Sequence, residues 1–248
     1  MPQLDEQSTG ASPLPLAGKV QALDNPIWNA LTTEQRHFAL GTGLALRFPA
    51  EIGPLSGLAG QTDAAYDELR DLTGANGIAV LFLQTPPEPR PGWSLVRGGL
   101  MSQMIWSGGS TSCVAEPASN VALRRLTPDD VPSMVELAHL TEPGPFGRRT
   151  HELGKFFGIF EGERLLAMAG QRLHPTRLVE VSAVCTHPQA RGRGYARALM
   201  SEVISAILQN SETPFLHVFA DNYPAIRVYA ALGFTWRRSL HLAVLKAV

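Results

Sequence analysis

The chain has 248 residues, of which 44% are hydrophobic and 17% are charged, and its 21 basic and 22 acidic residues give a formal net charge of −1. That length fits one large domain or two small ones, and the apolar content is sufficient for a buried core. The charged fraction lies below the roughly 25% of an average soluble protein, which argues against a disordered or coiled-coil chain, and the near-neutral total argues against binding nucleic acid by bulk charge.

The charge is unevenly divided, because residues 1–120 hold 6 basic and 11 acidic side chains whereas residues 121–248 hold 15 and 11. The second half is therefore the better match for an anionic ligand. Cys113 and Cys185 are the only cysteines and lie far apart, so we expect no disulfide framework, no metal site and a reducing cytoplasmic location. No apolar run approaches the ~20 residues of a membrane span, and the polar start lacks a secretory signal, so no membrane partner is expected.

The first half predicts a mixture of helices and strands. Helices are predicted over residues 26–40 and, more strongly, over residues 61–72. The apolar run at residues 77–83 predicts a buried strand, and residues 84–91, which hold four prolines, predict a loop.

A stretch rich in glycine and serine at residues 107–119 has the composition of a linker and divides the chain. We predict a flexible tail over residues 1–18, an N-terminal α/β lobe over residues 19–106 and a second domain over residues 120–248. The first lobe shows no catalytic constellation, and its one histidine, His37, is interpreted as a structural or surface residue.

The second half has clearer patterns. Residues 121–126 predict a strand, and Thr127 followed by Pro128 and two aspartates is typical of a helix start. The remaining pattern predicts a hairpin over residues 155–170, a strand over 178–185, a helix over 195–208, a strand over 215–219, a helix over 224–232 and strands over 233–237 and 240–245.

The segment Gln189-Ala-Arg-Gly-Arg-Gly194 lies where the helix over residues 195–208 begins. Glycines let backbone N–H groups approach an anion, and the first helical turn has unpaired N–H donors at the positive end of its dipole. The segment therefore predicts a cradle for a pyrophosphate, to which Arg191 and Arg193 add charge. A dinucleotide fingerprint needs a third glycine and a P-loop needs Gly-Lys-Ser/Thr, and both are absent here. A simple Gly-rich turn remains the alternative.

Two ordered blocks resemble the GNAT superfamily of acyl-coenzyme A-dependent N-acyltransferases. The segment 189–194 matches its Q/R-x-x-G-x-G/A cofactor loop, residues 180–188 resemble its splayed fourth strand, and residues 222–234 resemble its N-x-x-A-x-x-x-Y-x-x-x-G-F block. The resemblance covers roughly residues 120–248 and implies an α+β (mixed α/β) fold, with a mostly antiparallel central sheet flanked by helices. Residues 19–106 faintly resemble a degenerate copy of the same fold.

The resemblance implies acetyl-coenzyme A as cosubstrate and assigns roles to bind it. The backbone at Val184 and Cys185 would pair with the pantetheine arm, the N–H groups of residues 191–196 would bind the pyrophosphate, and Asn222 and Ala225 would contact and make room for the arm. The implied cofactor-binding residues are Val184, Cys185, Gln189, Arg191, Gly192, Arg193, Gly194, Tyr195, Ala196, Asn222, Ala225 and Tyr229.

Two residues are predicted to be catalytic. Tyr229 lies one helical turn beyond Ala225, and by resemblance its hydroxyl would protonate the leaving thiolate; a buried aromatic anchor is the alternative. Glu180 shares strand parity with Ser182 and Val184 and would accept the amine proton or bind a cationic substrate; a structural carboxylate is the alternative.

Three further residues compete for chemical roles. His217 lies on the neighbouring predicted strand and could replace Glu180 as the base, whereas His187 is interpreted as a loop or cofactor-contact residue. A covalent role for Cys185 is disfavoured, because nothing in the sequence places an activating group beside its thiol.

These observations predict an N-acetyltransferase that moves an acetyl group to a primary amine by direct attack in a ternary complex. The alternative is a non-catalytic acyl-coenzyme A-binding or sensing protein. No nucleic-acid partner is expected, and a homodimer is among the states left open.

The acceptor amine is not specified by the sequence. The resemblance implies that the acceptor side is built by residues 137–152 and by parts of the first lobe. Within that range, the segment Thr141–Gly147 is predicted to be an acceptor-side loop, with Phe146 as its lid. Three carboxylates would suit a cationic amine and two arginines would suit an acceptor with a carboxylate; these are Glu142, Glu152 and Glu180, and Arg148 and Arg149.

Overall fold

A computed structural model describes residues 20–108 and 121–248. The predicted tail and all but the first two residues of the predicted linker lie outside this part of the chain. The helices are α1 (Pro26–Thr32), α2 (Asp63–Thr73), α3 (Val131–Thr141), α4 (Tyr195–Leu208) and α5 (Tyr223–Ala231). The strands are β1 (Ala45–Arg47), β2 (Ser56–Leu58), β3 (Ile78–Leu83), β4 (Trp93–Trp106), β5 (Val121–Arg125), β6 (Phe156–Glu161), β7 (Arg164–Gln171), β8 (Leu178–Thr186), β9 (Thr213–Phe219) and β10 (Phe234–Ala247).

Eight of these strands form one sheet in the order β3-β10-β4-β9-β8-β7-β6-β5, and β1 and β2 form a separate antiparallel pair. Every neighbouring pair in the large sheet is antiparallel except β8 and β9, which run parallel. The predicted fold class, a mixed α/β chain around a mostly antiparallel central sheet, is confirmed.

The long strand β4 was not predicted from the sequence. Its exposure does not alternate along its length and Gly98 and Gly99 interrupt it, so the two-residue period of a half-buried strand is absent. It lies between β9 and β10, where Met101 pairs with Phe219 and Trp106 pairs with Phe234. Strands from both sides of the predicted linker therefore share one sheet, and the division into two domains stays a prediction.

Two element boundaries differ from the prediction. The helix predicted over residues 26–40 ends at Thr32 and is followed by a short 3-10 turn over Arg36–Phe38. The two strands predicted at the end of the chain are one continuous strand, β10, in which a register shift between Trp236 and Arg238 supplies the irregularity.

Helices cover both faces of the sheet near its centre. Helix α4 buries Leu199, Val203 and Ile207 against Val179 and Val181 of β8. Burying such a side chain stabilises the fold by about 1.5–3 kcal/mol. On the other face, Met134 and Leu137 of α3 pack around Met168 of β7. The buried stripe of α4 fixes the position of the helix N-terminus against the sheet.

No helix in the described parts of the chain has the length and apolar content that crossing a bilayer requires.

Strands β8 and β9 pair only at their beginnings and then separate. The paired residues are Leu178–Glu180 with Thr213–Phe215. Beyond that point β9 is paired with β4, whereas the edge of β8 that faces β9 has no strand partner among the described residues. The separation opens the centre of the sheet, directly beside the N-terminus of α4.

Candidate active site

A cleft of about 1400 Å³ lies where β8 and β9 separate. It extends from the loop before α4, past α5 and the end of β8, to the face of the sheet formed by β3, β10 and β4. Ten of the predicted site residues line it; they are Val184, Cys185, Arg191, Gly192, Gly194, Tyr195, Ala196, Asn222, Ala225 and Tyr229.

A bulge in β8 turns the end of this strand towards the cleft. Met168 of β7 pairs with Cys185 while Gly170 pairs with Ser182, so β8 holds one extra residue. Ala183 occupies that position with φ 52°, a left-handed conformation that is uncommon for alanine. The extra residue reverses the strand parity, and Cys185 rather than Val184 lies on the face of Ser182. Glu180 therefore lies on the same face of the strand as Ser182, as predicted, but the prediction that it shares this face with Val184 is wrong.

The loop before α4 exposes its backbone. Gly192 and Gly194 have φ 79° and 78°, and a Cβ at either position would meet nothing within 4 Å. The N–H groups of residues 192–197 have no hydrogen-bond partner among the described residues. These donors lie at the positive end of the α4 dipole, and Arg191 and Arg197 line the same part of the cleft. The arrangement fits a doubly charged pyrophosphate.

Three polar residues in or next to this loop do not belong to the described lining of the cleft. Gln189 is exposed and its side chain contacts Arg164 at 3.5 Å, and Arg193 contacts the Gln189 carbonyl at 3.4 Å. His187 contacts Arg164 at 2.7 Å and accepts from the Gln189 N–H at 3.2 Å. These side chains hold the loop together, and the predicted contacts of Gln189 and Arg193 with the cofactor stay predictions.

Helix α5 presents Asn222, Ala225 and Tyr229 to the cleft. Asn222 Oδ1 caps the helix by accepting from the Ala225 N–H at 3.3 Å. Tyr229 is half-buried, with its ring edge-on to Phe234 at 6.4 Å between centroids. Its hydroxyl has no hydrogen-bond partner in the described structure, and burial raises its pKa to about 12. Tyr229 therefore keeps its proton at neutral pH and has a free hydroxyl to donate.

Glu180 is enclosed rather than open to the cleft. Its side chain is 1% exposed and accepts from Arg172 Nε at 2.8 Å and Arg172 Nη2 at 2.7 Å. Burial alone would raise the pKa of Glu180, but Arg172 and His217 outweigh it and hold this pKa below its ordinary value. A carboxylate so paired is a poor proton acceptor, and its contacts match the structural alternative better than the predicted base.

His217 lines the cleft, yet both of its ring nitrogens are engaged. Nδ1 lies 2.7 Å from Glu180 Oε1, and Nε2 lies 2.9 Å from Gln103 Nε2. Gln103 Oε1 accepts from Arg237 at 2.8 Å, so the other end of this amide must be the donor to His217. His217 therefore carries its proton on Nδ1 and donates it to Glu180. This network orients the ring but leaves it no free nitrogen for the acceptor.

Cys185 is buried, and its environment disfavours a covalent role for its thiol. Burial raises the pKa of its thiol to about 11, so the thiolate is scarce at neutral pH.

The described residues include no group of three or more His, Cys, Asp or Glu side chains placed to hold a metal ion.

The end of the cleft away from the cradle is formed largely by the first half of the chain, parts of which the resemblance placed on the acceptor side. Pro143, Gly144 and Phe146 of the predicted acceptor-side loop line it from one side. Arg149 and Glu152 instead pair with each other at 2.7 Å. The lining residues that sequence reasoning did not name include Ala50, Gly53, Pro54, Ile78, Val80, Phe82, Val96, Arg97, Met101, Arg172, Arg197, Val218, Phe219, Leu242 and Val244.

Comparison with solved structures shows a similar protein that matches most of the chain. A protein from Novosphingobium aromaticivorans, whose crystal structure was assigned to the GNAT family of acetyltransferases, is 36% identical with a TM-score of 0.83. The match covers 91% of this chain and 98% of that protein. A GCN5-related N-acetyltransferase-like protein from Streptococcus suis is 14% identical with a TM-score of 0.59, over 94% of this chain and 100% of that one, and shares the fold.

The model of the FR47-like protein family matches residues 156–241. Mycothiol acetyltransferases from Actinosynnema mirum and Streptomyces scabiei are 30% identical over 93 residues and 37% identical over 81 residues. These matches cover 37% and 32% of this chain, and 31% and 26% of the relatives. The chain thus matches less than a third of the length of either relative.

Proposed function

We propose that this chain, which belongs to the GNAT family of acetyltransferases, is an enzyme. It moves the acetyl group of acetyl-coenzyme A to a primary amine. The observation that carries this proposal is the cradle of unpaired N–H groups at residues 192–197, joined to Tyr229 by one continuous cleft.

The loop before α4 binds the pyrophosphate through its backbone donors, and Arg191 and Arg197 add charge to it. The free backbone edge of β8 at Val184 and Cys185 holds the pantetheine arm between the separated strands. Ala225 leaves room for the arm on the α5 side, and the cap residue Asn222 keeps its amide Nδ2 as a donor towards it. Acetyl-coenzyme A, when bound in this way, supplies a thioester whose carbonyl carbon accepts the amine nitrogen.

Tyr229 acts as the acid for the leaving group. An N–C bond forms and the C–S bond breaks, and the Tyr229 hydroxyl gives its proton to the departing sulfur. The nitrogen loses one proton to water in the open cleft, and the phenol regains one from solvent, so the protons balance. Glu180 and His217 take no proton in this scheme; they hold the floor of the cleft in shape. Transfer is direct, since the Cys185 thiol is protonated and buried.

Turnover with a panel of amines tests the proposal. Purified protein is mixed with acetyl-coenzyme A and each amine, and free thiol and acetylated product are both quantified. We expect thiol release that needs both substrates and matches the product in amount. Tight binding of acetyl-coenzyme A without release on any amine would contradict the proposal and favour the non-catalytic acyl-coenzyme A-binding alternative.

A further inference from the structure

The acceptor end of the cleft has an apolar floor. Two side-chain pairs that face each other across β3 and β10, Phe82 with Leu242 and Val80 with Val244, line it. Met101 of β4 continues the same surface. An apolar surface of this kind favours an aliphatic or aromatic group on the acceptor, and it gives a highly charged acceptor no partner.

The charged side chains that line this end are two arginines and one glutamate. Among the described residues that line the cleft, Glu142 is the single carboxylate. Arg97 and Arg172 lie towards the sheet face, away from the cradle. Arg97 is exposed, forms no salt bridge with a described residue, and stacks over the Phe219 ring at 5.2 Å. Because Glu180 neutralises Arg172, the charge that attracts an anionic group and repels an acceptor with several positive charges is that of Arg97.

Arg172 supplies a directed donor on the floor. Glu180 accepts hydrogen bonds from Nε and Nη2 of Arg172 and cancels the charge of the guanidinium. The third nitrogen, Nη1, has no hydrogen-bond partner among the described residues. A Cβ placed on Gly144 would lie 3.8 Å from Nη1, so this nitrogen lies beneath the acceptor-side loop. The ion pair with Glu180 fixes the guanidinium plane, which leaves Nη1 pre-oriented to bind an oxygen.

We infer that the acceptor is a primary amine that also carries a carboxylate and an apolar side chain, as a hydrophobic α-amino acid does. Arg172 Nη1 binds the carboxylate, Arg97 attracts it from the rim, and the side chain packs on the face formed by Val80, Phe82 and Leu242. The inference rests on the proposed function and names the substrate class for that same site. It replaces the predicted contribution of Arg148 and Arg149, since Arg149 is paired with Glu152.

Matched acceptors separate the two halves of the inference. With saturating acetyl-coenzyme A, kcat/KM is measured for leucine, leucinamide, glycine and spermidine. We expect leucine to exceed leucinamide about ten-fold or more, because a charge-assisted hydrogen bond is lost in the amide. Glycine tests the apolar floor and should also fall below leucine. Equal rates on leucine and leucinamide, or preference for spermidine or glycine, overturn the inference and leave the proposed function standing.

Variants of Arg97 and Arg172 test whether these arginines cause the preference for leucine over leucinamide. Arg97→Gln should lower kcat/KM for leucine several-fold without changing it for leucinamide. Arg172→Lys also disturbs the ion pair with Glu180, so it should lower kcat/KM for both acceptors, and for leucine more than for leucinamide. Arg148→Gln is the matched control, since Arg148 is exposed and does not line the described cleft, and it should change neither. Arg97 is on the surface, so Arg97→Gln decides the question if Arg172→Lys does not fold. Unchanged preference in Arg97→Gln overturns the inference, and no turnover on any amine overturns it together with the proposed function.

Discussion

Replacement of Tyr229 by phenylalanine removes one oxygen whose role the structure makes specific. The hydroxyl has no hydrogen-bond partner among the described residues, and the ring packs against Phe234 through carbon atoms that phenylalanine retains. The free energy of unfolding should therefore change by no more than about 0.5 kcal/mol, since no internal hydrogen bond is lost. Loss of a general acid typically costs 100-fold or more in rate, so kcat should fall about 100-fold, or roughly 2.7 kcal/mol in activation free energy.

The assay for this prediction is thiol release with the best acceptor, together with a denaturation curve. The KM for acetyl-coenzyme A should stay within about two-fold, because the acid acts on the leaving sulfur in the transition state. Since burial raises the pKa of Tyr229 to about 12, activity that depends on its proton should persist to about pH 10 and be lost only as the pH rises towards 12. Tyr223→Phe is the matched control, as Tyr223 is 64% exposed on the same helix. Activity of Tyr229→Phe equal to that of the wild type would refute the reasoning.

Three further predictions concern buried groups. Cys185→Ala should retain kcat within a few-fold, and in a Cys113→Ser background the Cys185 thiol should resist alkylation at pH 7.5 until the protein unfolds, because burial raises its pKa to about 11. Glu180→Gln should lower the free energy of unfolding by about 3–5 kcal/mol in urea, because it leaves the Arg172 charge buried without its partner; unchanged stability would count against the ion pair. Burial lowers the pKa of His174 to about 4, so the folded state resists its protonation, and the free energy of unfolding should fall by up to about 3 kcal/mol between pH 6.5 and pH 4. That fall should be smaller in His174→Asn.

Local rules predicted the cradle half of the site. Glycines at 192 and 194 before an amphipathic helix fix both the turn and the direction of the N–H donors, and the spacing from Asn222 to Tyr229 is a purely helical relation. The helix over residues 195–208 and the strand before it could be predicted because their apolar periods are regular. The roles of Asn222 and Tyr229 came from the resemblance to the GNAT superfamily, and tertiary pairing was not needed to find them.

The acceptor half depends on pairings between residues far apart in the chain. Strand β4 has no clear period, and only its insertion between β9 and β10 brings Arg97 and Met101 to the cleft. Glu180 has the parity of a cleft residue, yet Arg172 eight positions earlier encloses it. The bulge at Ala183, which reverses the parity beyond it, has no signal in the sequence, because alanine rarely takes a positive φ.

Titration calorimetry of acetyl-coenzyme A into the purified protein tests the cradle most directly. The variant Gly192→Asp places a carboxylate and a side chain in the space where the pyrophosphate is proposed to bind. Gly162→Asp is the matched control, because Gly162 also has a positive φ, 60°, and open space, but lies in the turn between β6 and β7. We predict micromolar binding to the wild type and to Gly162→Asp, and none to Gly192→Asp. Equal binding to all three proteins, or none to a correctly folded wild type, would contradict the account.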